Sequence, residues 1–474
     1  MHIHSDEPTS KNTEKHPFLP CLGIDIGTTT ISIIVLDADS GNTTEVINIP
    51  NASDIPSDKT WEKKQDANRI TKKILDILES LSHKYPKIRS IGLTGQMHGI
   101  LYTDADGNAV SPLYTWQDAS AGQGSPSPCE IIRERTGYSL SPGYGLATHF
   151  AHILAGCVPD NAAKICTVMD YLVMKLTGRT MPVMHASNAA SLGLYDIAKH
   201  AFDIDAVVRA GIDPSILPEV TSESAVVGSW HGIAVTVSIG DNQASFLGSV
   251  RDPEHSALAN FGTGSQISLL TRSAENIPTN ASLEIRPYLE NSLLASGSAL
   301  CGGRAYAILE RFFRSYITAC GISETEQYEV MNRLAAKSLE SGKYLHVHTQ
   351  FCGTRNAPSL RGSISGISEE LFTPEAMIAG TLWGMASELY DMFREMPHSH
   401  ISTLVVSGNA VRKNPAFQQM LKEVFGMNVS VPAHREEAAF GAALFGAKIA
   451  DVCENSENLA SCIQYTNDSC STAS

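Results

Sequence analysis

The sequence predicts an α/β protein of two domains, each built on a sheet and each presenting a hairpin turn to a shared cleft. Residues 21–37 (CLGIDIGTTTISIIVLD) set two apolar, β-branched runs, 22–26 and 31–36, on either side of a Gly27-Thr28-Thr29-Thr30 turn, the pattern of strand, tight turn and strand. Residues 260–271 (NFGTGSQISLLT) repeat the design about half the chain later, with Gly262-Thr263 standing as Gly27-Thr28 do, and self-similarity on that scale signals a duplicated unit. Strand-like runs at 88–93 and 235–239 alternate with helical spacing at 59–85 and 242–250.

Taken alone, the first turn suits two roles equally. Its backbone N–H groups and threonine hydroxyls fit phosphate oxygens, and they also make an ordinary polar hairpin tip. Asp25 closes a buried strand, where a carboxylate is costly unless it meets a cation or strong donors. A hydrated Mg²⁺ carried on a nucleotide is the natural partner. The second copy favours a pair of phosphate cradles facing each other. That pair resembles the actin, heat-shock-chaperone ATPase and sugar kinase superfamily, in which two ribonuclease-H-like domains clamp ATP between paired phosphate loops. No Gly-x-x-x-x-Gly-Lys-Ser/Thr occurs in the chain, so a Walker A loop is excluded.

Composition narrows the function class. With 474 residues, 43% apolar and 18% charged, the chain has material for two cores and is not disorder-dominated. Fifty acidic against 35 basic side chains give −15, which argues against nucleic acid or anionic membranes as partners. The ten cysteines form no Cys-x-x-Cys pair, as expected of reduced thiols in a cytoplasmic protein rather than a structural zinc site. His2-x-His4, His346-x-His348 and His398-x-His400 each lack a second ligand pair nearby. Residues 1–17 are polar, unlike a signal peptide, and no apolar run reaches membrane-spanning length.

Along the chain, residues 1–19 read as an arm, and 59–85 as an amphipathic helix carrying Ile70, Ile74, Leu75, Leu78 and Leu81. The strand 88–93 delivers Thr94-Gly-Gln96-Met97-His98-Gly99 to its C-terminal end, where open α/β sheets present ligands. Gln96 and His98 are either loop caps or hydroxyl-binding groups beside the Met97 sulfur. Trp116 and Asp118 in 113–118 (LYTWQD) offer an indole face and a carboxylate to a sugar, although a lone tryptophan also serves as core. Residues 141–148 and 186–191 are small polar loops, either site or connection. Asp241, following the strand 235–239 and Gly240, is read both as the N-cap of the next helix and as a base aimed at a substrate hydroxyl. Small residues at 244, 245 and 248 match those at 441–443 and 446, as two helices in close crossing require. Gly302 lies in the glycine-rich approach to a helix at 304–317 and suits a phosphate or flat ligand. A helix is expected over 323–340 and a long polar loop, with Arg355 and Arg361, over 353–366. Residues 404–415 (LVVSGNAVRKNP) read as strand, Gly408-Asn409 turn and helix start. From Asp451 the Ser/Asn/Cys-rich chain reads as a frayed tail.

In this order the motifs Asp25-x-Gly-Thr-Thr, Gly-Asp-x-Gln at 240–243, Gly-Thr-Gly at 262–264 and Ser-Gly-Asn at 407–409 resemble those of the FGGY carbohydrate kinases over roughly residues 20–450. The segment 95–99 (GQMHG) resembles xylulokinases and sedoheptulokinases alike, and 115–118 (TWQD), 143–148 (GYGLAT), 188–191 (NAAS) and 298–303 (SALCGG) look like the sedoheptulokinase branch. Departures occur at Ala119-Ser120, Cys301 and Ala186, where the family often has Gly-Arg, Asn and an acidic residue. The resemblance implies a sugar-binding N-terminal domain over 20–252, a nucleotide-binding C-terminal domain over 253–450 and a flexible tail over 451–474. It also implies ATP and Mg²⁺ as cofactors, with Thr28, Thr29, Gly262, Thr263, Gly264, Gly302, Gly408 and Asn409 on the nucleotide and Asp25 on the metal. Gln96, Met97, His98, Trp116, Asp118, Asn188 and Asn242 would bind the sugar, and Asp241 would bind it and act as the base. The expected partners are a small sugar and ATP, with a homodimer as the assembly to test. The reaction expected is ATP-dependent phosphorylation of a ketose, sedoheptulose first. Three rivals remain: a xylulokinase or other FGGY sugar kinase; an actin-like or chaperone-like ATPase clamp, which would need the cradles but not Gln96–His98 or Trp116–Asp118; and a sugar-sensing pseudokinase, which would not need both Asp25 and Asp241.

Overall fold

The computed structural model describes residues 18–274, 283–354, 357, 359–452 and 456–466. The expected arm thus lies outside the described residues except for Phe18 and Leu19, and so do Arg355 and residues 467–474.

The first hairpin forms as its sequence dictates. Strands β1 (Pro20–Ile26) and β2 (Thr30–Asp37) pair antiparallel, with Ile26 opposite Ile31, which leaves 27–29 as the turn. Strand β3 (Thr43–Pro50) continues the meander, alternating half-buried and exposed side chains. Helix α1 (Ala67–Lys84) buries Ile70, Ile74, Leu78 and Leu81. It begins later than the spacing suggested, because Asp66 caps it by accepting from the Arg69 backbone N–H, and 64–65 enters a short strand instead. Strand β4 (Ser90–Gly95) lies parallel to β1, with Gly95 beside Ile26. The chain therefore leaves β4 at Gln96, at the same end of the sheet as the 27–29 turn.

Helices α2 (Gly145–Ala155) and α3 (Ala186–Leu192) follow, then strands β5 (Val226–Trp230) and β6 (Ile233–Thr236). The first sheet has the order β5-β6-β4-β1-β2-β3. Past helix α4 (Asp241–Ser249), strands β7 (Ser256–Phe261), β8 (Ser265–Thr271), β9 (Leu283–Pro287) and β10 (Leu293–Ala299) form the antiparallel part of a second sheet, with β10 inserted between β8 and β9. Helices α5 (Gly303–Ala319), α6 (Tyr328–Ser341) and α7 (Pro374–Arg394) follow. Strand β11 (Thr403–Ser407), helices α8 (Asn409–Arg412) and α9 (Pro415–Phe425), strand β12 (Asn428–Ser430) and helix α10 (Glu437–Ile449) close the lobe. The second sheet runs β9-β10-β8-β7-β11-β12. Set side by side, β3-β2-β1-β4-β6 and β10-β8-β7-β11-β12 are one arrangement used twice: three antiparallel strands extended by two parallel ones.

Helices α4 and α10 lock the two lobes together. Phe246 and Val250, in and just after α4, pack with Leu258, Leu270, Leu294 and Val405 of the second sheet, whereas Ala439, Ala443 and Ala447 of α10 pack with Cys21, Ile34 and Leu36 of the first. The crossing needs glycine. A Cβ at Gly441 would fall onto the Ala244 carbonyl, and one at Gly23 onto the Ala439 carbonyl. The C-terminal helix of the chain thus roofs the N-terminal sheet.

The tail differs from expectation. Leu459, Cys462 and Ile463 are buried against Cys21, Ile34, Leu36 and Ala38. Tyr465 Oη accepts from the Arg251 backbone N–H at 3.0 Å and donates to the Ser249 carbonyl at 3.1 Å. Three apolar side chains scattered in a polar segment have no period for sequence reasoning to find, yet they fill the groove between β1, β2 and α10. Among the described residues no helix is long and apolar enough to cross a membrane.

Candidate active site

Both hairpin turns open onto one cleft of about 1130 Å³, lined by Asp25, Gly27, Thr28, Trp116, Asp118, Asp241, Asn242 and 262–266. On the first side, Thr28 Oγ1 accepts from the Trp116 indole N–H at 2.9 Å and donates to Gln96 Oε1 at 3.4 Å. Gln65, which the sequence did not single out, anchors the turn by donating from Nε2 to the Thr28 carbonyl at 2.8 Å and accepting from Gln96 Nε2 at 2.9 Å. Thr29 is exposed.

The second cradle is built from stacked glycine turns. The Gly262 and Thr263 carbonyls accept from the Gly303 and Arg304 N–H groups that begin α5, at 2.8 and 3.1 Å. A Cβ at Gly302 would strike the Gly264 carbonyl. Gly408 turns the chain from β11 into α8 at φ 97° against the Phe261 backbone, and Asn409 is exposed beside it. Three turns, 262–264, 302–303 and 408–410, therefore meet at one end of the sheet.

Of the three carboxylates that line the cleft, Asp25 and Asp241 are raised by burial. Asp25 makes no hydrogen bond to a described residue; burial first, then the Asp241 and Glu436 carboxylates, push it up to about 7. Such a group favours a cation beside it. Among the described residues no three His, Cys, Asp or Glu side chains cluster as a metal cage. One carboxylate still fits Mg²⁺, which takes most of its ligands from phosphates and water. Asp241 is not the N-cap. Gly240 holds that position and Asp241 is the first helical residue, so its side chain is released from capping. Burial raises it above the usual carboxylate range, opposed by the Arg286 guanidinium and the Asn242 backbone N–H.

Gln96, Asp118 and Asn242 line the cleft and also hold protein partners, whereas Asn188 lies behind it. Gln96 is committed to the cradle, as described. Asp118 is 1% exposed, and it accepts from the Lys63 N–H at 3.1 Å, the Ser120 N–H at 3.0 Å and the Ser120 hydroxyl, so it organises the loop that carries Trp116. Asn188 lines neither the cleft nor the cavity beside it; its amide donates to the Ser238 hydroxyl at 3.0 Å. Asn242 donates to Gln266 at 2.8 Å and to Ser268 at 3.1 Å, tying α4 to β8.

A second cavity, of about 760 Å³, adjoins the cleft and shares His98, Ser141 and Tyr144 with it. Met97 and His98 line it, and Ser187 and Ser191 flank the buried Asn188 there. His98 adopts φ 73° and stacks on Tyr144 at 4.6 Å between centroids. The far wall holds Glu284 and Arg286 of β9, neither of which sequence reasoning identified. Their signal is two charges at i and i+2 inside a short apolar strand.

Family models of the FGGY carbohydrate kinases match this chain at residues 21–258, the N-terminal domain, and 257–450, the C-terminal domain. The chain belongs to the FGGY family of carbohydrate kinases. The two FGGY segments abut close to the expected boundary at 252/253, and α10, inside the second, packs on the sheet of the first. A sedoheptulokinase of Mus musculus is 25% identical over 471 residues, 89% of this chain and 96% of that protein. A glycerol kinase of Aquifex aeolicus is 26% identical over 453 residues, 89% and 88% of the two chains. Among solved structures, a ligand-bound xylulose kinase of Lactobacillus acidophilus superimposes with a TM-score of 0.80 at 17% identity, covering 94% of this chain and 92% of that one. This likeness confirms the two-domain FGGY fold.

Proposed function

We propose that this FGGY kinase transfers the γ-phosphoryl group of ATP to the terminal hydroxyl of a ketose, with sedoheptulose preferred over xylulose. The observation that carries the proposal is the position of Asp241. Freed from capping, it sits in the cleft between two donor-rich turns, within the field of Arg286 on the wall of the adjoining cavity. A sugar in that cavity has its reacting end near Asp241. The seven-carbon assignment is supported by the segments 115–118, 143–148 and 188–191 and by the sedoheptulokinase relatives.

In the mechanism, Thr28, Thr29 and the 262–264 turn would hold the phosphates, Gly302, Gly408 and Asn409 would border the nucleoside, and Asp25 would hold Mg²⁺. The metal supplies neutralisation of phosphate charge when bound. Phosphoryl transfer asks mainly for positioning and electrostatic support. Asp241 accepts the proton of the attacking hydroxyl. Burial raises its carboxyl and so strengthens it as a proton acceptor, and Arg286 opposes that rise. Trp116 covers the cleft and restricts water. The enzyme is placed in the cytoplasm, where ATP and reduced cysteines coexist.

Sugar-dependent ADP release, followed by phosphorus NMR of the product, tests the reaction. A phosphomonoester on the terminal carbon of the ketose is expected. ATP hydrolysis unaffected by any sugar would instead support the clamp.

A further inference from the structure

We infer that Arg286, presented by Glu284 and Tyr144, reads the oxygens of a neutral polyhydroxy substrate in the cavity beside Asp241 and selects against a carboxylated or phosphorylated one. The inference rests on the kinase reading above and names the substrate's charge class.

Strand β9 places Glu284 and Arg286 on one face, because alternate residues of a strand point the same way. Both line the cavity, opposite Met97, His98, Tyr144 and Ser191 of the N-terminal lobe. Arg286 is only 9% exposed. Its Nε and Nη2 both donate to Glu284 Oε2, at 3.1 and 2.7 Å. Nη1 makes no hydrogen bond to a described residue. The other Glu284 oxygen accepts from Tyr144 Oη at 3.1 Å, and Tyr144 stacks on His98, whose Nδ1 lies 2.8 Å from the Ser191 carbonyl. One chain of contacts therefore runs from the N-terminal lobe through the carboxylate to the guanidinium.

A buried ion pair adds little stability over apolar residues of equal volume. On a cavity wall it offers a rigid donor whose Nη1 is not used by Glu284, and a hydrogen bond from a charged donor is stronger than one between neutral groups. A hydroxyl or carbonyl oxygen of the sugar supplies the acceptor. The charge balance decides the substrate's sign. Glu284 neutralises Arg286, and Asp241 adds a negative charge at the same end, leaving no net positive charge for an anion.

The test uses the full chain with a panel of ketoses, aldoses, polyols and the corresponding sugar acids. Wild type is expected to prefer the neutral sugar to its carboxylate analogue by tenfold or more in kcat/KM. Arg286→Met should raise KM for that sugar roughly ten- to hundredfold, with KM for ATP changed less than about twofold. Glu284→Gln, which unmasks the guanidinium charge, should narrow the neutral preference. If Arg286→Met melts well below wild type, Arg286→Lys decides by the same split between the two KM values, since lysine keeps the charge and loses the fork. An unchanged sugar KM, equal losses for sugar and ATP, or a wild-type preference for the acid overturns the inference. Wild type acting on a neutral sugar that is not a ketose would overturn only the ketose assignment, and the role of Arg286 would then be read on that sugar.

Discussion

The indole N–H of Trp116 donates to the Thr28 hydroxyl at 2.9 Å, so a residue of the substrate-side wall holds the first phosphate cradle in place. That hydroxyl also donates to Gln96. Replacing it by Thr28→Val removes both bonds and should raise KM for ATP by roughly tenfold, the scale of one or two hydrogen bonds, while sugar affinity measured by calorimetry stays near wild type. Sugar affinity lost with ATP affinity kept would reverse the assignment of the two sides of the cleft.

Asp241→Asn keeps the shape of the side chain and removes its basicity. Turnover should fall by a factor on the order of 10² or more, with little change in ATP binding. Since Gly240 is the N-cap, the melting temperature should hardly move. Near-normal kcat would take the base role away from Asp241.

Asp25 makes a prediction about pH. Its carboxyl is raised from 3.8 to about 7 by burial and two neighbouring carboxylates. The folded protein therefore holds this proton more tightly than the unfolded chain. Stability from this group is present in acid and is lost as pH rises from about 4 towards 7. Without nucleotide or metal, Asp25→Asn should raise the melting temperature at pH 8, by at most a few kcal/mol of stability, and change it little at pH 4. Activity should be lost. Equal shifts at both pH values would show that Asp25 is already compensated by other groups.

Ile463 is 1% exposed between β1, β2 and α10. Ile463→Ala should cost about 2–4 kcal/mol in chemical denaturation, as for other large-to-small changes in a core. A cost near zero would restore the frayed tail.

What the sequence disclosed follows from how local each signal is. The two hairpins were readable because strand, turn and strand are contiguous, and the close crossing of α4 and α10 because glycine and alanine recur at helical spacing. Asp241 was legible as a candidate, although its choice between cap and cleft depended on Gly240 taking the cap. Gln96, Asp118 and Asn188 have residue types that suit sugar binding and loop building equally well, and their partners Gln65, Ser120 and Ser238 are visible only in the fold. Glu284 and Arg286 escaped notice because the cavity they line is assembled from 97–98, 138–144, 187–197 and 283–286, which no linear motif joins.

The measurement that bears most directly on the proposed function is kcat/KM for ATP-dependent phosphorylation of sedoheptulose, D-xylulose, L-ribulose and glycerol side by side. The expected result is sedoheptulose ahead of D-xylulose by tenfold or more, about 1.4 kcal/mol in transition-state binding. A tenfold preference for D-xylulose would reassign the sugar, and activity on glycerol alone would contradict ketose phosphorylation altogether.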